Sequence, residues 1–146
     1  MGTAQGSEPL DAIALDLIRS ASRLTRISNR LPGITYSSIA WRVLSDLERT
    51  GPERVSVLAE QQRVAQPTMT TLVHRLEGES WVVREPDPAD GRASLVAITE
   101  PGRRALTNYR ESIAALITPH ISELAEADQA ALARAAVLMQ LLADSV

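Results

Sequence analysis

The segment from Gln66 to Gly102, QPTMTTLVHRLEGESWVVREPDPADGRASLVAITEPG, limits what this chain can fold into more than any other. After Gln66 the apolar residues Met69, Leu72, Val73 and Leu76 recur at helical spacing, and Pro67 suits a first turn, so a helix is expected from Gln66 to Glu79. Trp81 to Glu85 reads as a strand, Pro86 to Gly91 as a polar turn, and Ala93 to Thr99 as a returning strand. Thr99-Glu100-Pro101 then signals a helix start.

Upstream, Arg54-Val55 forms a short extended pair, and Ser56 is a good N-cap for a helix through about Gln62. The tight segment Arg63-Val64-Ala65 joins that helix to the one beginning at Gln66, which makes a helix-turn-helix with its second helix placed to enter a major groove. Followed by a hairpin, this order spells a winged helix, and a winged helix points to duplex DNA.

The two ends of the chain are helical. Residues 1 to 8 are small and polar and are expected to fray. From Pro9 to Leu31, Leu10, Leu17, Leu24 and Leu31 are spaced by seven and joined by Ile13 and Ile27, while Arg19, Arg23, Arg26 and Arg30 lie off this stripe. Pro32-Gly33 stops that helix. Ser37 is the expected N-cap of a second helix through Thr50, with Ile39, Val43, Leu44 and Leu47 inward and Gly51-Pro52 at its end. Past Thr99, Leu106, Tyr109, Ile113, Leu116 and Ile117 continue a helix that Pro119 kinks or ends. A last helix spans about Ala127 to Ala143, with Leu132, Ala135, Ala136, Met139 and Leu142 along it. A small winged helix offers no partner for these terminal stripes. The expected fold is therefore mainly α, an α+β winged helix-turn-helix whose N- and C-terminal helices form a homodimer interface. Residues 9–31 and 101–146 would dimerise, and 37–100 would form the DNA-binding lobe of a single chain spanning 1–146.

Composition narrows the function. The 146 residues make about one domain. Without Cys, disulfides, thiolate catalysis and cysteine redox sensing are removed together. His74 and His120 lie far apart and in no metal-ligand spacing. No Ser/His/Asp spacing, paired-carboxylate motif or phosphate-binding Gly loop appears, so neither an enzyme nor a cofactor is expected. No apolar run approaches a membrane span and the N-terminus lacks a secretory pattern, so a cytoplasmic protein with no membrane partner is expected. All 15 basic residues are Arg, against 18 acids, for a net charge of -3. The acidic excess lies entirely after residue 104, where 2 Arg face 5 acids. Bulk charge will not hold such a chain on DNA; particular arginines must face the duplex.

The chain resembles the MarR family of bacterial transcriptional regulators over nearly its whole length. The resemblance is carried by SSIAWRVL (Ser37 to Leu44), SVLAE (Ser56 to Glu60), VAQPTMTTLVHRLE (Val64 to Glu77) and DPADGRASLVAITEPGRRAL (Asp87 to Leu106). The last is the most specific: it is similar to the family's wing, with an Asp-x-Arg element at Asp90, Gly91 and Arg92, then Ile98, Thr99 and Gly102. The resemblance implies an obligate homodimer on a pseudo-palindromic operator, repression by blocking polymerase, and release by a small phenolic or anionic effector. Other members sense oxidants or metals, branches that the lack of Cys and clustered His argues against. It also implies that Arg92, at the wing tip, enters the minor groove with Asp90 restraining its guanidinium. Gln66, Thr68, Thr70, Thr71 and Arg75 lie on the recognition helix, where side chains reach base edges and phosphates, and His74 is a candidate backbone contact. Three departures stand out: Ala65 where a Ser commonly caps the recognition helix, Thr71 where an Arg is frequent, and Ser80 in place of a Gly that often needs positive φ.

Arg23, Tyr36 and Trp41 form a candidate pocket for an organic anion, against the plainer reading that the aromatics pack the core; Trp81 is expected in the core. The alternative function is a winged-helix protein-interaction module without specific DNA binding, which a neutral balance of 7 Arg and 7 acids in residues 54–104 supports and the Asp-x-Arg wing opposes.

Overall fold

The computed structural model describes residues 8–31 and 35–146, so the break expected at Pro32-Gly33 and the fraying expected of residues 1–7 lie outside the described residues, while Glu8, also expected to fray, already belongs to the first helix. The chain divides into two compact units, a helical one made by the chain up to Leu31 and from Ser112 onward, and a winged one from Pro32 to Glu111. None of the described helices is long and apolar enough to cross a membrane.

In the helical unit, α1 (Glu8–Thr25) is shorter than expected: the chain tightens into a 3-10 turn over Arg26–Arg30 instead of continuing to Leu31. The hydroxyls of Thr25 and Ser28 donate to the carbonyls of Ser22 (3.0 Å) and Thr25 (2.8 Å), an i to i−3 pattern that competes with α-helical bonding. Helix α5 (Glu100–Ser122) passes through Pro119 without ending there, and α6 (Glu126–Asp144) starts with Glu126 and Asp128 in its first turn, which suits the positive helix end. Large apolar side chains of this unit stand exposed, among them Leu10 (66%), Leu24 (51%), Leu132, Leu138 and Leu142.

The winged unit holds the core. Ala40, Val43, Leu44 and Leu47 of α2 (Ser38–Thr50) pack with Leu58 of α3 (Val55–Gln62), with Met69, Val73 and Leu76 of α4 (Gln66–Gly78), and with Val82, Val96 and Leu106. Ile39 and Leu72, both expected inward, are half-buried, and Ala40 is fully buried in place of Ile39 on the inner face of α2. The strands β1 (Glu53–Arg54), β2 (Val82–Asp87) and β3 (Asp90–Ile98) form an antiparallel sheet with β3 central. Ser56 does not cap α3. The helix already begins at Val55, because β1 pairing holds Glu53 and Arg54 extended and leaves Ser56 inside the first turn.

Both helices of the helix-turn-helix end the same way. At the end of α3, Arg63 N–H donates to Glu60 O and Val64 N–H to Ala59 O; at the end of α4, Ser80 N–H donates to Glu77 O and Trp81 N–H to Leu76 O. This is the Schellman pattern, with Arg63 (φ 53°) and Ser80 (φ 62°) in the left-handed position where glycine is usual. Thr99 then locks the junction: its N–H bonds Trp81 O (3.0 Å), its hydroxyl donates to Ser80 O (2.5 Å) and accepts the Gly102 N–H (3.1 Å), which caps α5. The winged unit reaches beyond the expected limit at residue 100, since Leu106 is buried in its core and Arg110 donates to Glu48 (2.8 Å) and Ser45 (3.1 Å) of α2.

Candidate nucleic-acid interface

Helix α4 buries Met69, Val73 and Leu76, which leaves Gln66, Thr68, Thr71, His74 and Arg75 exposed. The cap is indeed missing: Ala65 precedes the helix and offers no side-chain bond. Thr70, half-buried, and Thr71 turn their hydroxyl hydrogens back to Gln66 O and Pro67 O (both 3.0 Å), so toward any ligand they offer acceptor lone pairs and methyl groups. His74 Nδ1 lies 3.3 Å from Glu77, which also holds Arg84 of β2 at 3.2 Å. That bridge ties the recognition helix to the wing, a pairing the sequence does not announce because the partners lie on different elements.

The wing differs from expectation at its tip. The strands run further into the turn, which contains only Pro88 and Ala89, and Arg92 stands in β3. The pairs Pro86 with Ser94 and Asp87 with Asp90 leave Gly91, Arg92 and Ala93 without partners across the ladder, so Arg92 sits on a bulge. Asp90 accepts the backbone N–H of Arg92 (3.1 Å), and among the described residues no carboxylate pairs with the Arg92 guanidinium. The wing is anchored instead by Asp87, 6% exposed, which accepts the Ala89 N–H (2.9 Å) and binds Arg54 through Nε (2.7 Å) and Nη2. These contacts hold the Asp87 carboxyl below the usual carboxylate range, the Ala89 N–H first and the Arg54 guanidinium next. An Asp two residues before a backbone donor was the local signal for this turn.

Pairing sorts the arginines of the winged unit. Arg49, Arg54, Arg84, Arg104 and Arg110 each meet a carboxylate, and Arg42 is held by the Gln62 side chain. Among the described residues, Arg63, Arg75, Arg92 and Arg103 meet none. Arg75 lies over the Tyr36 ring at 4.8 Å, a cation–π contact.

All four aromatic residues of the chain converge here. Trp41 stacks flat on Tyr109 (4.1 Å), Trp81 lies 5.4 Å from Trp41 and 4.9 Å from Tyr36, and Tyr36 meets Trp41 edge-on at 6.2 Å. The Tyr36 hydroxyl donates to Glu79 (2.8 Å), and its pKa is raised by burial and then by that carboxylate. The Trp41 Nε1–H is buried with no hydrogen-bond partner among the described residues. Tyr36 and Trp41 are thus brought together, whereas Arg23 belongs to the helical unit, where it lines an open groove with Ser20, Leu24, Ile27 and Arg30. A second open groove of about 320 Å³ follows α4, walled by Ile39, Met69 and Leu72 and edged by Ser37, Thr68, Thr71 and Arg75.

Comparison with known proteins agrees with this fold. The MarR family model matches residues 37–94. An uncharacterised HTH-type transcriptional regulator of Mycobacterium bovis, Mb0904, is 30% identical over 133 residues, covering 90% of this chain and 93% of that one. The transcriptional repressor IacR of Pseudomonas putida is 31% identical over 112 residues, covering 76% and 67%. Among solved structures, RV1404 of Mycobacterium tuberculosis superposes with a TM-score of 0.72 at 25% identity, covering 94% of this chain and 95% of that one.

Proposed function

The chain belongs to the MarR family of DNA-binding transcriptional regulators, and from that premise we propose that it is a homodimeric repressor of a pseudo-palindromic operator. Helix α4 enters the major groove, with Gln66, Thr68, Thr70, Thr71 and Arg75 toward bases and phosphates, and the wing carries Arg92 into the adjacent minor groove. One observation carries this reading: among the described residues, most other arginines of the winged unit are engaged with carboxylates, while Arg75 and Arg92, on helix and wing, are left without one. A net charge of -3 is compatible with DNA binding once acids of the winged unit are so engaged.

Exposed leucines of α1 and α6 support the homodimer, since a lone protomer would leave them in water. Two half-sites are also needed, because one recognition helix reads few base pairs. The repressor assignment follows the Pseudomonas putida relative. The aromatic cluster at Tyr36 and Trp41, with its unpaired Trp41 N–H, supports release by a small phenolic or anionic effector. Footprinting the protein on DNA flanking its own gene, with gel shifts at rising salt, tests the proposal. Protection of two half-sites about one helical turn apart, weakening steeply with salt, is expected. Salt-insensitive or absent binding would instead favour a protein-interaction module. Thermal-shift screening of phenolic acids without any stabilisation would remove the effector.

A further inference from the structure

We propose that Arg63, in the turn between α3 and α4, is a phosphate-binding residue of the same surface; the assignment rests on the DNA-binding reading above. Three observations carry it. First, Arg63 adopts φ 53° and ψ 45°, a left-handed conformation that a Cβ disfavours and glycine takes freely. Among the described residues only Ser80 shares positive φ without being glycine, and Ser80 is small. Both side chains carry the Cβ that makes this conformation costly, and only that of Arg63 is cationic. Strain of this kind persists where the surroundings impose it, and it gathers at functional sites.

Second, the surroundings do impose it. Gln62, the residue before, donates to Asp46 (2.8 Å) and accepts from Arg42 Nε (2.9 Å), so the end of α3 is clamped to α2, and the paired bonds from Arg63 and Val64 fix the turn itself. Third, the Arg63 side chain is exposed and makes no ion pair or hydrogen bond among the described residues, so the turn is held by backbone bonds alone and the guanidinium is left for a ligand outside the chain. Only Val64 and Ala65 separate it from Gln66, the first residue of the recognition helix. That helix lacks a side-chain cap and has Thr rather than a cation at position 71, and Arg63 supplies positive charge from a rigid mount just ahead of it. A guanidinium held in this way fits a backbone phosphate, whose position along a duplex does not depend on sequence.

The test compares the parent with Arg63→Gly and Arg63→Lys on a footprinted duplex and a scrambled one over a range of salt. Glycine is chosen because it fits the turn, so the variant is expected to melt no lower than the parent. It should bind both duplexes roughly ten-fold more weakly, as loss of one charged hydrogen bond implies. The slope of log affinity against log salt should become shallower by about 0.9 for each phosphate contact removed, while the Lys variant keeps the parental slope. Unchanged affinity and slope in Arg63→Gly would overturn the inference, and so would a loss confined to the footprinted duplex, which marks base reading. A parent that binds neither duplex overturns the DNA reading and this inference with it. A parent that weakens with Arg92→Ala but not with Arg63→Gly overturns this inference alone.

Discussion

The Asp87 carboxylate lies on the Arg54 guanidinium while also accepting the Ala89 N–H, so one side chain fastens the wing turn to the strand that precedes α3. The folded-state pKa of Asp87 is lowered, so its stabilisation is complete above the ordinary aspartate value of about 4 and is lost as pH falls through the lower folded value. Asp87→Asn keeps the shape and removes the charge. Its melting temperature should lie below the parent's at neutral pH, with the gap closing as pH falls below about 4. A gap independent of pH would show that the ion pair contributes nothing to the fold.

Gly102 admits no side chain. A Cβ there would lie 2.1 Å from the Trp81 carbonyl oxygen, which cannot retreat freely because it accepts the Thr99 N–H. Gly102→Ala should therefore cost about 3 kcal/mol in urea unfolding, the upper end for an overpacked site. A near-neutral result would mean that α5 can shift along the sheet.

Arg92 is exposed on the bulge of β3 and contributes no ion pair among the described residues, so Arg92→Ala should leave the melting temperature within about 1 °C of the parent, as for a surface change. Operator binding should fall by about ten-fold or more. Unchanged affinity in gel shifts would take the wing out of the mechanism.

Leu17 sits in the seam with Leu10 and Leu24, whose exposure in the protomer is the mark of an uncovered face. Leu17→Glu should yield monomers in sedimentation velocity, and operator binding should be lost as a consequence. A variant that stays dimeric would place the interface elsewhere.

Most elements of the winged unit were legible because their signals are local. Apolar spacing marks α4, turn residues mark the hairpin, and Ser80 was identifiable as a residue in a glycine's place, which its φ of 62° bears out. Element ends were less legible. Ser56 has the chemistry of a cap, but β1 pairing decides where α3 begins, and α1 gives way at Thr25 to hydroxyls that any helix of that composition could have turned outward. Arg92 was identifiable as a wing residue, although its bulge and the backbone role of Asp90 were not.

The sequence by itself determined the order of helices and strands, most of the inward residues of α2 and α4, and an arginine-only set of cations with no excess to spend on bulk attraction to DNA. Tertiary structure alone decided which arginines remain unpaired, that Asp87 meets Arg54 rather than Arg92, and that all four aromatic residues share one cluster. Periodicity is set by neighbours a few residues apart and can be read along the chain. Ion pairs and ring stacks join residues tens of positions apart, and their partners are fixed only when the packed core brings the elements together.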